Sequence, residues 1–183
     1  MATIDRILAE VDRAADEIVQ FTVDLVRIPT INPPGDEYET CARFLGDHLR
    51  QRQFDVEYIV ADSRPEHTAR HPRVNVVASR RGGGGPVVHL NGHVDVVPPG
   101  DGWTLDPFAG VVRDGRIFGR GVCDMKAGLA AAVYAAEAIA RAGVTLPGTL
   151  EISGTVDEES GGFAGVAWLA EQGRIAKART DYV

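Results

Sequence analysis

The sequence predicts an α/β domain in which helices flank a mixed, largely parallel sheet. Three observations carry this prediction. Apolar side chains recur at helical spacing in several stretches, short β-rich runs alternate with those stretches, and proline, glycine and asparagine punctuate the joints. Helix and strand in alternation is the pattern of a sheet with helices laid on its faces. With 183 residues, 44% hydrophobic and 25% charged, the chain can bury one full-sized core and does not have the composition of a disordered or coiled-coil protein.

In order along the chain, Ile4, Ile7, Leu8, Val11, Ile18, Phe21, Leu25 and Val26 keep one apolar stripe. A single helix is therefore expected over residues 3–28, with Thr3 as N-cap and Pro29 as stop. Asn32-Pro33-Pro34-Gly35 reads as a loop. Tyr38, Cys41, Phe44, Leu45, His48 and Leu49 mark a second amphipathic helix ending near Gln53. Strands are expected over residues 56–60, 74–78 and 87–97, and residues 63–73, polar and proline-bearing, read as an exposed loop. Glycines 82–85 are expected to form a flexible turn, since no Gly-Lys-Ser/Thr follows to make a phosphate loop. Asp114-Gly115, flanked by Val111-Val112 and Ile117-Phe118, predicts a hairpin. Residues 127–142 are apolar nearly all round, as in a buried helix, and Gly143 supplies its cap. Leu150, Ile152 and Val156 alternate with polar residues as a strand, residues 162–172 read as a last helix, and Asp181-Tyr182-Val183 as the beginning of a further strand.

Charge and composition narrow the function. Nineteen basic against 26 acidic side chains give a net charge of -7, which repels a phosphate backbone and argues against nucleic acid as partner. No apolar run approaches the ~18 residues that would span a bilayer. Residues 1–5 lack the basic start and apolar stretch of a secretory signal, so no membrane partner and a cytoplasmic location are expected. Cys41 and Cys123 form no CxxC pair; buried free thiols are expected, and no thiolate metal site.

Three clusters carry chemistry, each after an expected strand. In Asn91-Gly92-His93-Val94-Asp95, strand alternation puts His93 and Asp95 on one face, so the carboxylate can orient the imidazole. Asp124 lies in the glycine-bounded stretch Gly119-Arg120-Gly121-Val122-Cys123-Asp124-Met125-Lys126, just before the buried helix, where capping that helix is the alternative role. Asp157-Glu158-Glu159-Ser160-Gly161-Gly162 places three like charges side by side; helix capping is again the alternative, but a divalent cation would hold two such carboxylates together. Histidine with carboxylates and no cysteine is the donor set of zinc or another first-row ion in a hydrolytic site. His67 and His71 fall in the polar loop, His48 on an apolar stripe, and His89 is about four residues, roughly 13 Å, from His93 along the strand and expected to pack, so none of the four is expected to ligate.

These clusters, in this order and spacing and with Gly102-Trp103-Thr104-Leu105-Asp106-Pro107-Phe108 between them, resemble a dinuclear zinc hydrolase family. It includes acetylornithine deacetylase, succinyl-diaminopimelate desuccinylase, aminoacylase and glutamate carboxypeptidase. The resemblance implies two zinc ions, with cobalt or manganese as possible substitutes. His93 would bind one, Asp124 would bridge both, and Glu159 would bind the second. Glu158 would be the general base that activates water, Asp95 would orient His93, and the Asp124-Met125 peptide bond would be cis. Ala127 stands where the family commonly has glycine. The implied substrate is an N-acyl amino acid or short peptide, with a di- or tripeptidase as the alternative within the family and a non-catalytic metal-binding remnant as the alternative outside it.

The resemblance also implies one further ligand per ion, an acid shortly after Glu159, for which Asp181 is one candidate, and a distant histidine. Residues 1–183 are accordingly expected to be the N-terminal part of the catalytic domain, weak or inactive alone. The dimerisation domain and C-terminal part would be absent, and the full-length protein would be a homodimer.

Overall fold

The structure is a computed structural model that describes residues 2–183. Its elements are α1 (Thr3–Arg13), α2 (Ala15–Val26), α3 (Tyr38–Gln51), β1 (Asp55–Val60), β2 (Val74–Arg81), β3 (Val87–His93), β4 (Val111–Arg113), β5 (Arg116–Phe118), α4 (Ala127–Arg141), β6 (Thr149–Thr155) and α5 (Val166–Glu171). The expected single N-terminal helix is two. Ala14 interrupts it with φ -88° and ψ 4°, because its two halves bury different amounts: α1 has no buried residue, whereas Phe21, Thr22, Val23, Leu25 and Val26 of α2 are all buried. Thr3 is already helical, and the Asp5 carboxylate accepts the Ala2 N–H at 3.0 Å in place of a Thr3 cap.

Four strands make one mixed sheet in the order β1-β2-β6-β3, flanked by helices. The β1–β2 and β2–β6 pairs are antiparallel and β3–β6 is parallel. β4 and β5 form the expected hairpin apart from the sheet. One sheet face is apolar: Val76, Ala78, Ile152 and Leu90 meet α3 and α4 in a core with Leu45 and Leu129. Glycine is required here, since a Cβ on Gly154 would lie 2.7 Å from Leu45 and one on Gly92 2.7 Å from Leu129.

The opposite face is polar yet also covered. Register aligns His89 with Glu151, Asn91 with Ser153 and His93 with Thr155. His89, fully buried, lies 2.9 Å from Glu151 Oε2 and 2.8 Å from Ser153 Oγ, and the Ser153 hydroxyl donates to Asn91 at 2.7 Å. Residues after β6 close this face, with Arg179 donating to Glu151 and Asn75 Nδ2 donating to the Ala164 carbonyl at 2.8 Å. Tyr182 pairs in parallel with Val88 on the free edge of β3, as the start of a strand should. The expected flexible turn at glycines 82–85 is tied down, the amides of Gly82, Gly83 and Gly85 donating to the Gly148, Leu146 and Pro147 carbonyls. The last helix is shorter than expected, because the left-handed Gly161 and Gly162 delay its start to Val166. Among the described residues no helix is long and apolar enough to cross a membrane.

His48 packs as expected, stacked on Phe21 with ring centroids 3.8 Å apart. Burial first, and then the Arg52 charge, push its pKa down to about 4. An unfolded histidine titrates near ~6.5, so between these values the unfolded chain binds the extra proton and folding weakens. The contribution is fully present above ~6.5 and is lost as pH falls toward 4. Urea midpoints should therefore decline across this window, and His48→Phe, which keeps the stack, should remove that part of the decline.

Candidate metal centre

The site forms where the parallel pair ends. β3 stops at His93, beside Thr155 at the end of β6, so the residues following both strands converge at the carboxyl edge of the sheet. The expected strand to Val97 is cut short because Val94–Val96 leave β6: Val94 N–H still reaches the Thr155 carbonyl, but Val96 pairs with Ile31. His93 Nδ1 donates to the Asp95 backbone carbonyl at 3.0 Å, which turns Nε2 toward the open side, 3.0 Å from Asp124 Oδ1. Asp124 comes from the kinked turn Val122–Lys126, and its peptide bond to Met125 is cis. Glu158 and Glu159 sit on the 3-10 turn Glu158–Ser160. One ligand atom each from His93, Asp124 and Glu159 lies within 4.8 Å of the others, and Glu158 Oε2 stands 3.8 Å from His93 Nε2.

Asp95 lies beneath this group and does more than orient an imidazole. Its carboxylate accepts the backbone N–H groups of Glu158 (3.2 Å) and Glu159 (3.1 Å) and the Asn32 side-chain amide (2.9 Å), while its Oδ1 is 3.5 Å from His93 Nδ1. Burial alone would raise its pKa, but the hydrogen bonds of His93, Asn32 and Glu159 outweigh that and hold it below the usual range. Burial likewise opposes charge on His93, yet bonds to Asp95 and Asp124 push its pKa up to about 9. The Glu159 carboxyl is raised, by burial first and, against the opposing His93 charge, by the neighbouring carboxylates of Asp124, Asp95 and Glu158. Negative charge crowded around one imidazole is what a divalent cation relieves, and the nitrogen and oxygen donors suit a first-row ion.

The three consecutive acids separate. Asp157 turns inward, almost fully buried, where Arg73 Nε donates to it at 2.8 Å and Tyr38 Oη at 2.8 Å. Arg73 thus corrects the expectation of an exposed loop through residue 73: its guanidinium is buried because Asp157 needs a counter-charge. Cys123 corrects another, being exposed, while Cys41 is the buried thiol. Sequence reasoning missed Asn32, Tyr38 and Arg73. Asn32 lies 63 residues from Asp95, and Tyr38 and Arg73 lie 119 and 84 residues from Asp157, so no local pattern marks them. Arg73→Met should leave Asp157 buried without a counter-charge and cost about 3–5 kcal/mol in urea unfolding.

A family model described as Peptidase family M20/M25/M40 matches residues 89–183, just over half of the chain and the part that holds His93, Asp95, Asp124, Glu158 and Glu159. The chain belongs to the M20 peptidase family. Its relatives include succinyl-diaminopimelate desuccinylase of Gluconacetobacter diazotrophicus, 39% identical over 157 residues, which covers 83% of this chain and 38% of that one. The Xylella fastidiosa desuccinylase is 37% identical over 168 residues, covering 91% and 41%. This M20 chain thus spans about two fifths of the length of those relatives. Among solved structures, the di-peptidase Dug1p from Saccharomyces cerevisiae aligns with a TM-score of 0.82 at 20% identity over 99% of this chain and 40% of that one. Human carnosine dipeptidase 1 aligns with a TM-score of 0.81 at 23% identity over 97% and 40%. These place the M20 chain in the mixed α/β catalytic-domain fold of its neighbours.

Proposed function

We propose that this chain carries the metal-binding N-terminal part of a zinc-dependent amidohydrolase that cleaves N-acyl amino acids or short peptides. The observation that supports it most is the convergence of His93, Asp124 and Glu159 within 4.8 Å, with Glu158 beside them. In this reading His93 and Asp124 hold one zinc ion, Asp124 and Glu159 hold a second, and cobalt or manganese can substitute. When bound, zinc supplies Lewis acidity toward an amide carbonyl and toward water.

The chain's own residues do the rest. Glu158 is about half exposed and its backbone N–H is held by Asp95, so its carboxylate projects from a fixed turn and is free to take a proton from water and return it to the leaving amine. Asp95, through the His93 imidazole and the Glu158 and Glu159 backbone N–H groups, keeps base and ligands in register. The desuccinylase relatives support the acyl-amino-acid substrate class, and the two free cysteines support a cytoplasmic setting. The remaining ligands and a homodimer are proposed for the longer protein that such relatives represent.

In an extended protein covering the length of the desuccinylase relatives, Glu158→Ala should lower amide hydrolysis by about 10²–10⁴-fold with zinc content unchanged. Turnover within a few-fold of wild type would remove the base assignment. Asp124→Asn should damage zinc binding more than Asp95→Asn, which should cost about 10–100-fold, as read by zinc stoichiometry after dialysis. The reverse ranking would mean that ligand and support have been exchanged. Chelation should abolish hydrolysis and added cobalt or manganese should restore part of it; full activity after exhaustive chelation would exclude the metal.

A further inference from the structure

We infer that Lys126 is a positioning residue for Asp124, fixing the turn that presents this carboxylate by gripping the end of α2. The inference rests on the proposed role of Asp124 as a metal ligand. The Asp124 side chain is open to solvent. It is 76% exposed, and its one side-chain hydrogen bond is to His93 Nε2. Its position is therefore dictated by the backbone of the turn, and the question becomes what holds that backbone.

The turn is clamped at its two ends. At the first, Gly121 has φ +78°, and a Cβ there would lie 2.2 Å from Val96 Cγ1, so the chain enters pressed against the segment that follows His93. At the second, the Lys126 N–H closes the turn onto the Gly121 carbonyl at 2.9 Å. The Lys126 side chain then runs inward, with no exposed surface, and its Nζ donates to the Leu25 carbonyl at 2.9 Å and the Ile28 carbonyl at 2.7 Å. These oxygens belong to the last turn of α2 and the residues just after it, where the helix dipole is negative and a cation is favoured. Between the clamps, Asp124 (φ -130°, ψ 94°) and Met125 (φ -136°, ψ 31°) depart from helical geometry, so the turn does not hold its shape by continuing α4.

Burying an amine at this place is costly, and an apolar side chain would fill the same space without that cost. What the amine adds is direction: two bonds from one nitrogen fix the end of the turn relative to α2, which itself lies in the core. Lys126 does not touch the metal ligands. It acts through the peptide backbone, two residues away from the carboxylate it places.

The test is a cobalt(II) titration of the extended protein covering the length of the desuccinylase relatives, following the visible absorption that reports ligand geometry, for wild type, Lys126→Met, Lys126→Arg and Asp124→Asn, with far-ultraviolet circular dichroism to establish folding. Lys126→Met should fold, bind cobalt about 10–100-fold more weakly and show an altered absorption band. Lys126→Arg, which keeps the charge and donors, should recover most of the affinity. A residue that only stabilised the fold would lower the melting temperature and leave the spectrum of the folded chain unchanged. If Lys126→Met does not fold, Lys126→Gln, which keeps a donor nitrogen without the charge, should show the same change in band and a smaller loss of affinity. Wild-type affinity and spectrum in the folded Lys126 variant, with binding lost in Asp124→Asn, would overturn the inference and leave the metal site standing. Unchanged binding in Asp124→Asn would overturn both.

Discussion

A carboxylate with no access to water must find donors inside the protein, and Asp95 finds them in the parts that make this site. It is fully buried, and its acceptor positions are taken by Asn32 from the loop after α2, by the Glu158 and Glu159 amides from the turn after β6, and by the neighbourhood of His93 from β3. Leaving such a group unpartnered would cost several kcal/mol, on the order of an appreciable fraction of a domain's stability. Chain segments far apart in sequence are therefore held together by a requirement of the fold itself, and the candidate site at the sheet edge is organised as a consequence.

The same division of labour recurs around it. Two of the side chains that could meet a ligand are open, Asp124 76% exposed and Glu158 53%, whereas His93 is buried and turns only its Nε2 outward. Those that hold the backbone beneath them are buried and paired, Asp157 with Arg73 and Tyr38, and Lys126 with the end of α2. A buried ion pair is seldom a large source of net stability, since desolvation consumes much of the attraction, but breaking one partner is expensive. Such pairs tolerate one arrangement and penalise others, which suits a site whose carboxylates repel one another.

The polar face of the sheet extends this pattern away from the site. His89, Glu151, Ser153 and Asn91 are bonded among themselves across the β3–β6 pair, and Arg179 closes the far end. The apolar face carries the packing with α3 and α4. A parallel pair buried on both sides usually reads as a continuous apolar run; here polar residues sit inside because each has a partner in register, and the residues after β6 exclude water from them.

Much of this was legible in the sequence because it is local. Period and turn chemistry mark α3, α4, the β4–β5 hairpin and the cores of the main strands, and each candidate site residue lies in a short charged cluster, with helix capping as the alternative reading at Asp124 and at the acidic triplet. The tertiary structure decided what depends on partners distant in the chain. It broke the first helix at Ala14 because only its second half enters the core, and it stopped β3 at His93 because the next residues turn to Ile31. It also separated Asp157 from Glu158 and Glu159, sending one acid inward to Arg73 and leaving two at the edge. No spacing rule distinguishes three adjacent carboxylates; a buried guanidinium 84 residues away does, because only the acid that meets it can be buried at tolerable cost.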